Sequence, residues 1–317
     1  LDSIIERHQI AVSSRHRAMN DVLALADYLE LTAASHGILP FVEQSSALTL
    51  PKLPPIGLHP ELAGQLNNLS DGDGALLWLD SDGLPLYADA HTKTFREAVE
   101  LLHRNPALQR AASLRFLPAV GPLHALMLKA KLSAEHGFRP SENDVRPTDY
   151  FTVRFHPNEK GKLQAQIRPL SDGLYPDRPN GLFLHKKAAK RALDAWAREQ
   201  QFCPAELNIL PPGYDRNAPC PVAAVGRCQG QCGNIGEAAQ QRQRIETAAR
   251  LLPVADWGKA HQIEICETDT LNGRRLSFHC AGGALQMPDG SWYFDRKLPA
   301  VFKEKFRAHR NDIAVSF

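Results

Sequence analysis

The stretch GALLWLDSDGLPLYAD, residues 74–89, decides how this chain is read. Two apolar runs, 75–79 and 84–88, flank Asp80-Ser81-Asp82-Gly83. A short Asp- and Gly-rich turn between such runs joins antiparallel neighbours, so a β-hairpin is expected. A helical pattern over about 94–104 follows, then a strand from Leu114 to Leu117. A second helix comes next, with Leu123, Leu126, Met127, Ala130 and Ala134 on one face. The order β-β-α-β-α predicts a small α/β core of three strands and two helices.

Further along, Asp149-Tyr150-Phe151-Thr152-Val153-Arg154-Phe155 reads as a strand, and about 186–200 as a helix with Ala189, Leu193 and Trp196 turned inward. Lys186, Lys187, Lys190, Arg191 and Arg198 surround that apolar stripe. Such a helix either holds phosphates or presents an ordinary solvated face, and both readings stand. Residues 262–294 alternate as a β-meander, with turns at Asn272-Gly273 and Asp289-Gly290, and a helix carrying Leu298, Val301, Phe302 and Phe306 closes the chain. Upstream, Met19, Val22, Leu23, Ala26, Leu29 and Leu31 recur at helical spacing, and 37–72 is rich in Pro like a linker. The division expected is 1–36 helical, 37–72 linker, 73–160 α/β, 161–250 helical with a Cys cluster, and 251–317 meander plus terminal helix, in all an α/β (α+β) protein.

Cys203, Cys220, Cys228 and Cys232 are separated by sixteen, seven and three residues and sit among Pro and Gly. Breakers let thiolates converge without regular secondary structure, and soft thiolates favour zinc or an iron–sulfur cluster. Two disulfides or scattered free thiols are the plainer alternative. Cys266 and Cys280 lie in strand-like alternation and read as structural. With 37 Lys plus Arg against 35 Asp plus Glu, the formal charge is +2, so nucleic-acid binding requires local patches rather than a global field. No apolar run is long enough to span a membrane and no leader pattern opens the sequence, so a cytoplasmic protein is expected, a compartment that favours metal ligation over disulfides.

From about 56 to 235 the chain resembles the UvrC/Cho type of repair endonuclease, whose nuclease domain is of the GIY-YIG kind. The resemblance rests on Gly74-Ala75-Leu76, Leu86-Tyr87-Ala88-Asp89, Ala125-Leu126-Met127-Leu128, Asp149-Tyr150-Phe151-Thr152, Gly181-Leu182-Phe183 and Arg227-Cys228-Gln229-Gly230-Gln231-Cys232, in the family's order. It implies a GIY-YIG-like three-stranded sheet and assigns Cys203, Cys220, Cys228 and Cys232 to an iron–sulfur cluster, with Zn²⁺ the alternative. It also implies DNA as partner, with DNA polymerase or repair proteins as further candidates. The nuclease residues depart from the pattern. Leu76 stands at the first tyrosine, Tyr87 keeps the second, Asp89 replaces a glycine, the arginine position is either Phe95 or, with a one-residue shift, Arg96, and Lys129 replaces the metal-binding glutamate. A protonated lysine does not ligate Mg²⁺. Such a domain is expected to bind DNA without cutting it, through Arg96, Lys129, Lys131 and the basic helix.

Arg15-His16-Arg17-Ala18-Met19-Asn20-Asp21 resembles the last motif of DEDDh 3′–5′ exonucleases related to the polymerase III epsilon subunit. That resemblance makes His16 a general base and Asp21 a metal ligand, with Mg²⁺ or Mn²⁺ bound only where a complete exonuclease domain is present. The expectation is a piece, or a remnant, of an exonuclease–UvrC/Cho-like fusion. Its rivals are a non-enzymatic, metal-stabilised nucleic-acid-binding or interaction module and a zinc scaffold unrelated to nucleic acid.

Overall fold

The computed structural model describes residues 1–12, 18–40, 58–138, 150–210, 222, 225–226, 238–255, 257, 261–269, 272–308 and 313–316. They form two compact units, Leu1–Leu58 with Arg96–Pro106, and His59–Phe95 with Ala107–Phe317. In the first unit, helix α1 (Asp2–His8) meets α2 (Ala18–His36), and the His8 ring stands edge-on to Tyr28 at 5.0 Å. The periodic residues do form a helix, but Ala24 is its buried residue while Met19, Val22, Leu23, Leu29 and Leu31 are exposed.

The second unit opens on α3 (Pro60–Asn67), inside the stretch expected to be linker. Pro60 sits in the first turn, where its fixed φ and missing N–H cost nothing. Leu62 and Leu66, one turn apart, are fully buried. The Gln65 side-chain oxygen accepts the N–H of Leu114 at 2.6 Å. Residues 41–57 of the expected linker lie outside the described residues.

The expected hairpin is β1 (Gly74–Leu79) with β2 (Pro85–His91), antiparallel, and β3 (Ser113–Pro118) pairs on the other side of β1. The Asp80 carboxylate closes the turn by accepting the N–H groups of Asp82 and Leu84 at 3.0 and 2.8 Å. Helix α4 (Thr94–Arg104), which belongs to the first unit from Arg96 onward, follows β2 in sequence, and α5 (Pro122–Glu135) follows β3. Leu128 and Leu132 of α5 pack on Ala75, Leu77 and Ala88 of the sheet.

A second sheet, in the order β5-β4-β7, joins β4 (Tyr150–Pro157), β5 (Leu163–Leu170) and β7 (Asn180–Phe183). Helices α6 (Lys186–Glu199) and α7 (Ala238–Ala248) supply its core with Ala189, Leu193, Trp196 and Ile245, and the Trp196 indole donates to the Ala248 carbonyl at 2.8 Å.

The third sheet contains the expected meander, β8 (Gln262–Thr268), β9 (Arg275–Ala281), β10 (Ala284–Gln286) and β11 (Trp292–Phe294). It is extended by β12 (Ile313–Ser316) beside β8 and by β6 (Gly173–Tyr175) beside β11. Gly282 and Gly283 turn β9 into β10 with φ of 61° and 84°. A Cβ on Gly282 would lie 1.9 Å from the Pro179 carbonyl oxygen, so only glycine fits there. Helix α8 (Leu298–Ala308) packs Leu298 and Phe302 into one core with Ile263, Ile265, Phe278 and Phe294 of the meander and Leu123, Leu126 and Ala130 of α5. Helix α5 is therefore clasped between two sheets. Among the described residues no helix is long and apolar enough to cross a membrane.

Candidate functional site

Strand β2 places Tyr87 and Asp89 two residues apart, hence on one face, and the register sets Leu76 opposite Asp89 and Trp78 opposite Tyr87. Leu76 and Trp78 are fully buried, while Tyr87 is half-buried and its hydroxyl pKa is raised by burial and by Asp89. Lys129 of α5 turns inward rather than standing on the helix surface. Its ammonium lies 2.7 Å from Asp295 Oδ2 and 3.3 Å from Asp89 Oδ1. Lys297 Nζ donates to both Asp89 oxygens at 3.0 Å and to the Ala90 carbonyl at 2.6 Å, and the Tyr293 hydroxyl donates to Asp295 at 2.9 Å. Two carboxylates and two ammonium groups thus interlock at a place assembled from β2, α5 and the segment between β11 and α8.

The charges in this cluster are held by mutual pairing against a large desolvation cost. Burial raises the Asp89 carboxyl pKa, but Lys129, Lys297 and His91 outweigh it and hold the value down at about 2. Asp295 is lowered in the same way by Lys129. Burial pulls the Lys129 ammonium down, yet Tyr293, Asp295 and Asp89 keep its pKa well above the ordinary value. Lys129 is therefore a cation at every physiological pH, and it occupies the position where the resemblance puts a metal-binding glutamate. These residues do not fit a divalent metal, and among the described residues no three His, Cys, Asp or Glu side chains converge as a metal site. Expected among the phosphate contacts, Lys129 instead spends its charge on Asp89 and Asp295.

Lys131 is exposed and reaches Glu135 at 3.8 Å. Arg96 is exposed in the first turns of α4. Lys186, Lys187, Lys190, Arg191 and Arg198 are all exposed around α6, as the apolar stripe of Ala189, Leu193 and Trp196 requires. Asp21 is half-buried on α2, and His16 lies outside the described residues. Cys203 is half-buried just beyond α6, its carbonyl accepting the N–H of Leu207 at 3.1 Å. Cys220, Cys228 and Cys232 lie outside the described residues. Cys266 and Cys280 fall on β8 and β9, and burial pushes the Cys280 thiol pKa well up.

Sequence reasoning missed Asp295 and Lys297 as partners of Lys129, although Asp89 inside the otherwise apolar Ala88-Asp89-Ala90 was a signal. A buried carboxylate in a strand demands a cation. It also missed Glu267, which is 2% exposed and accepts the first N–H groups of α5, Leu123 at 3.0 Å and His124 at 3.1 Å, while pairing with Lys305 at 3.1 Å.

Residues 150–251 match the model of the UvrC/Cho excinuclease middle domain. The chain is also similar to the curated excinuclease cho of Escherichia coli O157:H7, of Shigella flexneri and of Escherichia coli strain K12, each 28% identical over 207 residues, 63% of this chain and 68% of the relative. No solved structure matches.

Proposed function

We propose that this chain is a DNA-repair protein of the nuclease class whose UvrC/Cho-like region binds DNA and whose α/β unit does not cut it. The observation that carries the reading is Lys129. At the one position where the resemblance supplies a metal-binding carboxylate, the chain places an ammonium group locked between Asp89 and Asp295. Phosphodiester hydrolysis by a metal route needs water activation and charge neutralisation at the leaving oxygen, and a fixed lysine ion-paired twice offers neither open coordination nor a free charge.

The similarity of residues 150–251 to the excinuclease middle domain supports DNA as the ligand. The five exposed cations of α6 are the most concentrated basic surface on one helix among the described residues. Their expected signature is electrostatic. In fluorescence anisotropy with a labelled duplex, the triple variant Lys186→Gln, Lys187→Gln, Lys190→Gln should bind at least tenfold more weakly. Its slope of log affinity against log salt should be shallower by up to about 2.7, at about 0.9 per lost phosphate contact. Equal slopes for the two proteins would remove α6 from the interface.

By the chemistry of their side chains, Cys203, Cys220, Cys228 and Cys232 would make an all-thiol donor set suited to a soft metal, and we assign them an iron–sulfur cluster. When bound, such a cluster contributes folding free energy to the region it ties together. Cys203, held in a turn at the end of α6, would couple that cluster to the basic helix. Protein purified without oxygen should be brown and contain iron with acid-labile sulfide. Colourless protein carrying stoichiometric zinc would replace iron by zinc, and folded metal-free protein would end the assignment.

A further inference from the structure

Arg178, in the loop between β6 and β7, and Arg250, just past α7, line two adjoining concavities of about 630 and 670 Å³. Gln262 of β8 lines both as well, so the two form one trough between the β4–β5–β7 unit and the meander. Arg178 is half-buried and Arg250 exposed, and among the described residues neither has a carboxylate within ion-pairing distance. Asp177 and Glu246 line the first concavity, and no ion pair joins either of them to these arginines among the described residues. The two guanidinium groups repel one another, and burial together with Arg250 lowers the pKa of Arg178. A fold gains nothing from placing two like charges together in a concave, partly desolvated site. An anion between them removes the repulsion.

The ends of the trough add the second half of the chemistry. At one end stand Phe155 and Trp292, both half-buried. At the other, Arg244 is stacked 5.0 Å over the Phe202 ring and donates to the Gln200 carbonyl at 3.2 Å, which fixes its guanidinium at the trough wall. Phe202 itself is buried with Trp196 against it at 4.9 Å, so at this end the Arg244 guanidinium plane is the surface offered to a base. Cations flanked by Phe155 and Trp292 on one side and by that plane on the other match a chain that alternates phosphates with flat bases. A flexible single strand can enter a concave trough of this size, whereas a duplex offers its phosphates on a convex surface.

We propose that the Arg178–Arg250 trough holds the phosphodiester backbone of a short single-stranded DNA segment, a site separate from the exposed face of α6. This rests on the reading of the protein as DNA-binding. The test measures anisotropy of labelled oligothymidylate and of a blunt duplex with the full chain, its Arg178→Gln/Arg250→Gln variant and its Arg178→Lys/Arg250→Lys variant. The glutamine variant should bind the single strand about 10- to 100-fold more weakly, with a salt slope shallower by about 1.4, at about 0.7 per phosphate. Its duplex affinity should change by less than about threefold, and the lysine variant should recover most of the strand binding. Removing the repulsion should leave the melting temperature unchanged or raised; if the double variant melts early, Arg250→Gln alone, at an exposed position, must show the same direction of loss. Unchanged strand affinity, or equal losses on strand and duplex, overturns the trough while leaving DNA binding intact. Wild-type protein that binds neither DNA ends the DNA-binding reading and this site with it.

Discussion

Lys129 shows how one substitution changes the chemistry a strand and a helix can support. A lysine on α5 facing outward would matter little, but here it is 14% exposed and carries two carboxylates with it. Removing one member of a buried charge set leaves the others desolvated and unpaired, which costs about 3–5 kcal/mol. Lys129→Met should therefore lower the unfolding free energy by about 3 kcal/mol in a urea titration, the lower end because Lys297 and Tyr293 still serve Asp89 and Asp295. A loss under about 1 kcal/mol would show that the cluster is solvated and that the lysine only decorates it. The same cluster sets a pH dependence. Asp89 has a folded-state pKa of about 2 against an ordinary 3.8, so the unfolded chain binds its proton more readily. The resulting stability, about 2 kcal/mol, is fully present above roughly pH 4 and is lost as pH falls through about 2. Asp89→Asn should flatten the acid limb of stability between about pH 4 and 2, whereas an unchanged limb would contradict the pairing. The sequence exposed the lysine and the lone aspartate but not their meeting. Asp295 is 166 residues from Lys129, and Lys297 is 208 from Asp89, separations that no local pattern encodes.

At the level of elements, what the sequence made legible follows the length scale of each signal. The hairpin of β1 and β2, helices α5, α6 and α8 and strands β8, β9 and β11 of the meander carry their own apolar pattern or turn residues, and each lies where that pattern put it. Strand β5 has the alternation Leu163, Ala165, Ile167 against Gln164, Gln166, Arg168, yet it becomes a strand through its pairing with β4. Strands β6, β7 and β10 span only three or four residues, too few to show a period. For α2, helicity was readable and burial was not, because periodicity names a face without naming what covers it. The N-terminus of α5 illustrates a cap that comes from elsewhere in the chain: Glu267 of β8 replaces the usual local capping side chain. Gly121 leaves room for it, since a Cβ there would stand 2.6 Å from the Glu267 carboxylate. Backbone strain is not involved, as Gly121 is extended with φ of −176°. Gly121→Ala should cost about 1–3 kcal/mol by displacing that carboxylate, read as a fall in melting temperature. Glu267→Ala, which abolishes the clash, should make the added alanine nearly neutral in a double-mutant cycle, and additive losses would refute the steric account.

Within the second unit, α5 is the helix that belongs to two cores at once, packing on the β1–β2–β3 sheet and on the meander. The C-terminal segment from Tyr293 to Lys297 therefore does more than close a meander, because it supplies Asp295 and Lys297 to a cluster begun by β2 and α5. Where the resemblance expects an open nuclease face, the chain's own downstream sheet supplies the counter-ions. In the proposed function, DNA binding is assigned to surfaces outside this cluster, the α6 face and the Arg178–Arg250 trough. The most direct test is to incubate the metal-replete chain with nicked, flapped and single-stranded DNA in Mg²⁺ or Mn²⁺, and to read binding by anisotropy and cleavage on a denaturing gel from the same tubes. The account predicts salt-sensitive binding with every strand intact. Metal-dependent cleavage that disappears in Tyr87→Phe would contradict it, because the α/β unit would then cut DNA despite Lys129.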